Sequence, residues 1–306
     1  MGIRAGVLLV VKVIVLAIIN LVLFAIAGGI AGLNTGPQTP EQAKSAISAL
    51  FLVCFINTPI LCYIILRSKW TGWKLMAAVF VTLYGVATVM PQIETAIFVT
   101  WLPAGTVPRL FLMGALVAAP FSILAVLLLG KRKPDVAADD GATRPSRSAG
   151  EWAWKLSVIV IAYLILYFGF GYFVAWQSPA VRQYYGGSDA GSFLATLREL
   201  MGTQPWLFGI QAVRALLWVL VALPVIRMLK GSRFETALLI ALLFSVVMNT
   251  QLLLPNPYMP TDVRMAHLVE TASSNFIFGL VVGWLLSRKT SAMKQQDGLI
   301  EAAAAS

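Results

Sequence analysis

The stretch DVRMAHLVETASSNFIFGLVVGWLLSRK, residues 262 to 289, reads as a membrane-crossing helix, yet its first half carries Arg264, His267, Glu270, Thr271, Ser274 and Asn275. His267 is the only histidine in the chain. On a helix turning about 100° per residue, these six side chains fall within an arc of about 140°. Beyond Asn275 the sequence FIFGLVVGWLL offers only apolar side chains and glycine. Polarity that stops halfway along a span predicts a pocket entered from one side of the membrane and closed on the other.

The chemistry such a stripe would support is proton transfer. Histidine titrates near neutral pH, and a carboxylate three residues away on the same helix face can orient it or hold its proton. A second carboxylate, Glu94, sits in PQIET behind a proline that can bend its helix. His267, Glu270 and Glu94 are therefore the candidate acid–base groups.

Other spans bring polar residues to a similar depth. IQAVRALLW places Gln211 and Arg214 well inside one span, PQIET adds Gln92, MNTQ adds Gln251, and VPRLFLMGAL opens another span with Arg109. With Arg264, Thr271, Ser274 and Asn275, these are the candidate ligand-binding residues. Charges in hydrocarbon need partners or an aqueous cavity. Three arginines against two carboxylates leave a positive surplus, which predicts a small anionic ligand such as a carboxylate or phosphate. Each residue also has a structural reading. Arg109 and Arg264 would anchor the membrane interface, His267 and Glu270 would be a plain hydrogen-bonded pair, and Asn275 would pack helices.

The elements that must position these residues follow from composition. The chain has 306 residues, 59% of them hydrophobic and only 12% charged, against about 25% charged in soluble domains. The predicted fold is an all-α polytopic membrane protein with eight transmembrane helices, at 7–32, 46–66, 75–98, 108–130, 155–176, 206–229, 235–255 and 264–287. An even number of spans puts both termini on one side. Of the 23 Lys and Arg residues, only Lys44, Arg109, Arg182, Arg198, Arg214 and Arg264 fall on the opposite side or at its span ends. This bias predicts cytoplasmic termini and a multi-pass protein of the plasma membrane.

Residues 1–133 form the first four-helix half, 134–153 a cytoplasmic linker, 154–289 the second half and 290–306 a flexible cytoplasmic tail. A glutamine near the outer end of each third span and an arginine opening each fourth point to two parallel four-helix repeats. The piece SFLATLRELM between the fifth and sixth spans reads as an amphipathic surface helix. Ala25, Gly28, Gly29 and Gly32 read as a close helix contact.

The net charge of +10 belongs to the loops and does not imply nucleic acid. One histidine and two cysteines, Cys54 and Cys62, argue against a His/Cys zinc site or bis-histidine haem, so no metal or cofactor is expected. Eight residues apart on one helix, those cysteines lie about 12 Å from each other, too far for a disulfide. Membrane lipid is the expected partner, and a homo-oligomer is compatible with the sequence.

Three functions remain open at this point. A proton-coupled transporter would use His267 and the carboxylates to exchange solute for protons. A membrane enzyme acting on a lipid headgroup would use His267 and Glu270 as an acid–base pair. A receptor or accessory subunit would bind lipid or protein through the same pocket without turnover.

Overall fold

The computed structural model describes residues 2–33, 39–133, 148–187 and 191–287. Eight helices are long and apolar enough to cross a membrane: α1 (Ile3–Ile30), α2 (Pro40–Leu66), α3 (Gly72–Phe98), α4 (Thr106–Leu128), α5 (Ala149–Ala175), α8 (Pro205–Met228), α9 (Arg233–Leu253) and α10 (Thr261–Leu286). Two short helices, α6 (Pro179–Tyr185) and α7 (Phe193–Thr203), lie between α5 and α8. The chain is an integral membrane protein, and the expected eight spans are present.

Two helices start six residues earlier than the hydropathy pattern alone predicts, each at a side-chain cap. The Thr39 hydroxyl accepts the Gln42 amide at 3.2 Å, and the Gln42 side chain accepts the Thr39 amide at 3.0 Å, which starts α2 six residues before the expected boundary. Ser148 accepts the Glu151 amide at 3.1 Å, and Glu151 pairs with Lys155 one turn on. Residues 149–153, expected in the linker, are therefore the first turn of α5. The rest of that linker, 134–147, and the expected tail at 290–306 lie outside the described residues.

In the first four spans α1 packs on α2 and α4, and α3 on α4; in the last four α5 packs on α8 and α10, and α9 on α10. The sets join where α2 meets α9 and where α3 meets α8 and α9. On the face carrying the chain termini, the α2–α3 and α8–α9 connections pair through Lys69 N–H to Met228 O at 2.8 Å and Lys230 N–H to Arg67 O at 3.0 Å. The Arg67 guanidinium grips both oxygens of Glu235, at 2.6 and 2.9 Å. That fork is the geometry that gives arginine–carboxylate pairs their strength.

Three spans contain a π-helical turn: Gly85–Val89 in α3, Gly171–Ala175 in α5 and Leu243–Val247 in α9. Phe244 of the α9 turn is fully buried together with Trp218 and Phe278. Ring centroids 4.1 Å apart for Trp218–Phe244 and 5.9 Å for Phe244–Phe278 make a continuous aromatic plug.

The close helix contact is not where the sequence placed it. A methyl group added at Gly28, Gly29 or Gly32 would meet nothing, because α1 buries Leu16, Ala17, Asn20 and Ala27 on its opposite side. The tight approach is between α9 and α10. A Cβ at Gly279 would stand 2.5 Å from Ala241 Cα, and one at Gly283 2.5 Å from Ala237 Cα. Gly279→Ala is therefore expected to cost about 1–3 kcal/mol by overpacking, read as a lower Tm of the purified protein in detergent. An unchanged Tm would mean that the two helices are not held in this contact.

Candidate functional site

The polar stripe on α10 forms one wall of a cavity of about 1090 Å³. Its other walls come from the ends of α3, α5, α8 and α9 that point away from the terminal face, together with α6 and α7. The aromatic plug lies beyond its inner end, so the cavity occupies the half of the bundle away from the terminal face.

On α10 the His267 Nδ1 lies 2.7 Å from Glu270 Oε2. Its Nε2 lies 3.2 Å from the Tyr185 hydroxyl, which α6 delivers from outside the spans. Burial first, then the neighbouring Tyr184 and the carboxylates of Glu94 and Glu270, raise the Tyr185 phenol above the ordinary tyrosine value, so it keeps its hydrogen at neutral pH. When Tyr185 donates to Nε2, the neutral imidazole carries its own hydrogen on Nδ1 and donates it to Glu270. A proton arriving at Nε2 reverses the first bond and leaves the second in place. The geometry is that of a proton-accepting imidazole oriented from behind by a carboxylate.

One turn further along, Thr271 Oγ1 lies 2.6 Å from Asn249 Oδ1 on α9. The Asn249 amide donates to the carbonyls of Phe244 at 3.2 Å and Ser245 at 2.7 Å. Both carbonyls belong to the π turn, so the Asn249 side chain braces it. The Asn275 amide reaches Met248 Sδ at 3.2 Å. Thr271, Ser274, Asn275 and Gln251 all line the cavity.

The second charged couple joins the two halves of the chain. Glu94, on α3 beyond the π turn and Pro91, accepts a short hydrogen bond from Arg214 Nη1 on α8. Arg214 is 2% exposed and Glu94 27%. The same Nη1 donates to Gln211 Oε1 at 2.7 Å, Nη2 approaches the Met90 carbonyl at 3.4 Å, and the guanidinium lies 5.9 Å from the Tyr163 ring. Arg214 Nε has no partner. Glu94 is within electrostatic reach of His267 and Glu270. The three candidate acid–base residues therefore share one site.

Four expected ligand-binding residues do not line the cavity. Arg264 is turned into the backbone, with Nη1 2.8 Å from both the Leu252 and Leu254 carbonyls and Nε 3.2 Å from that of Met259. It closes the 3₁₀ turn that ends α9. Arg109 is exposed and, among the described residues, reaches the Gly32 carbonyl, at 3.4 Å. Gln211 supports Arg214 from behind, and Gln92 is buried with its Oε1 unpartnered. Among the described residues that line the cavity there is one arginine instead of three, and they carry no positive surplus. Among the described lining residues Glu94, Glu199 and Glu270 face Arg214 and His267.

Sequence reasoning missed the aromatic wall. Trp101 packs edge-on against Tyr184, with centroids 5.1 Å apart, and lies 6.5 Å from Tyr185, whose ring is 5.8 Å from that of His267. Tyr163, Tyr167, Trp176 and Trp206 continue the wall. The Tyr184–Tyr185 pair beside a proline-started turn was the visible signal. The expected amphipathic helix is α7, which has no buried residue and still contributes Thr196, Glu199 and Thr203 to the cavity.

Comparisons with protein families, curated proteins and solved structures give no match.

A buried charge left alone costs far more than the pair is worth. Glu94→Gln or Arg214→Leu alone is expected to destabilise the protein by about 3 kcal/mol. The double variant should lose less than the sum of the two, as measured by denaturation in a double-mutant cycle. Strictly additive losses would show that the two side chains are not coupled.

Proposed function

We propose that this protein is a proton-coupled carrier of an amphiphilic solute that enters the cavity from the face opposite the termini. The observation that carries this reading is the His267–Glu270 couple, set with Glu94 at the floor of a one-sided cavity inside the membrane. Protonation there changes the charge that a bound solute meets, so proton and solute compete for one set of groups. The groups facing that floor are His267 and Glu270 from α10, Glu94 from α3, Arg214 from α8, Tyr163 and Tyr167 from α5 and Tyr185 from α6. π turns in α3, α5 and α9 supply points at which these spans can bend.

The basic bias of the loops supports placing the terminal face in the cytoplasm and the protein in the plasma membrane. The recurrence of one packing pattern in the first and last four spans supports a parallel duplication. The anionic ligand that a triple-arginine pocket would favour loses its support once Arg109 and Arg264 are engaged elsewhere.

A second reading is favoured by the Tyr185–His267–Glu270 contact. In a lipid-modifying enzyme, His267 would act as general base and Glu270 would orient it. The two readings make opposite demands on the terminal face. A carrier must part the Arg67–Glu235 clamp to release solute there, whereas an enzyme needs it closed. In reconstituted vesicles, proton-driven uptake is expected, with its pH dependence lost in His267→Gln. An Arg67→Cys/Glu235→Cys variant bridged by a bifunctional thiol reagent should stop uptake. The native Cys54 and Cys62 are buried and will not compete for the reagent. Conversion of a lipid extract that survives the bridge, without uptake in the unbridged protein, would replace the carrier with the enzyme.

A further inference from the structure

We propose that the solute is an amphiphile bearing an ammonium group, seated between the carboxylates of Glu94 and Glu270 and the aromatic wall. This deepens the carrier reading and rests on it for the step of movement. Two independent features of the cavity converge on such a ligand.

The first is charge. Among the described residues lining the cavity, three carboxylates face one arginine and one histidine. Both terminal nitrogens of the arginine are engaged: Arg214 Nη1 donates to Glu94 and Gln211, and Nη2 is directed to the Met90 carbonyl. Glu270 pairs with the His267 imidazole and, among the described residues, with no arginine or lysine. Glu199 faces the cavity from α7, where it is exposed. An anion would meet repulsion at the floor and a cation would not.

The second is the wall. Trp101, Trp176 and Trp206 stand with Tyr167, Tyr172 and Tyr185 around the same space. Aromatic faces attract cations, most strongly when the cation is weakly hydrated, as quaternary ammonium groups are. Aromatic rings also accept an alkyl chain along their faces, so one wall serves both ends of an amphiphile. Trp101 and Trp206 are about half exposed, at 49% and 48%, which leaves the rim open at interface depth. α7 has apolar Phe193, Leu194, Leu197 and Leu200 and packs chiefly on α8. It is the wall past which an amphiphile in the interface would enter.

The test uses the full chain in lipid nanodiscs and three probes of equal tail length: octyltrimethylammonium, octanol and octyl sulfate. Binding is followed by tryptophan fluorescence and by the shift in Tm. Octyltrimethylammonium is expected to bind saturably and at least about tenfold more tightly than octyl sulfate, with octanol between them. Glu270→Gln should reduce that preference. Glu199→Gln should reduce it also, and its position on the exposed α7 keeps the fold intact even if Glu270→Gln misfolds. Equal binding of the three probes, or preference for the sulfate, would overturn the proposal. Vesicle uptake separates the two levels. Ammonium-selective binding without uptake keeps the ligand class and rejects the carrier, while proton-driven uptake of octyl sulfate keeps the carrier and rejects the ammonium.

Discussion

The arrangement around the cavity depends on one ion pair. Arg214 lies inside a membrane span with its side chain 2% exposed, where a guanidinium without a partner is costly. Its carboxylate partner comes from the other half of the chain. Bringing Glu94 to it fixes α3 against α8 and sets the depth at which both enter the bundle. Gln211, one turn before Arg214, and the Met90 carbonyl complete the cradle. The floor of the cavity is thus built by solving the problem of one buried charge.

The π turns follow from the same constraint. A helix of uniform pitch carries side chains round at a constant rate, and one extra residue in a turn rotates everything beyond it. In α3 the π turn at Gly85–Val89 precedes Glu94, in α9 that at Leu243–Val247 precedes Met248, Asn249 and Gln251, and in α5 that at Gly171–Ala175 is itself part of the wall. In α9 the Asn249 amide donates to two carbonyls of the π turn, and its oxygen meets Thr271. One asparagine therefore braces the turn and ties it to the stripe carrying His267.

Legibility in the sequence followed the range of the physics involved. The eight spans and the stripe on α10 were readable because hydropathy and helical periodicity act over adjacent turns. So was the depth at which polarity ends. The destination of Arg264 was not readable. It falls within the same arc as His267, but the 3₁₀ turn at Thr250–Leu253 presents carbonyls to it, and that turn belongs to a different span. Arg109 and Arg264 hold matching places at the start of their spans, yet one is exposed and the other buried. Tyr185 escaped notice because a tyrosine in a loop has no periodicity to betray it. Its role appears only when α6 folds back over α10.

Stiffness is distributed along the membrane normal in the same way as chemistry. Toward the terminal face, α9 and α10 approach through glycine and alanine backbones, the Arg67–Glu235 fork joins α2 to α9, and paired loop amides close the gap between halves. Toward the other face the helices carry π turns, and α7 rests mainly on one neighbour. The acid–base groups lie at the boundary between these zones. Any movement that a change of protonation at His267 provokes meets least resistance toward the open face. Access to the terminal face requires the contacts there to yield together, and the strongest of them is a partly exposed ion pair that water can replace at modest cost. The clamp is therefore the element on which the proposed carrier and the alternative enzyme make different demands.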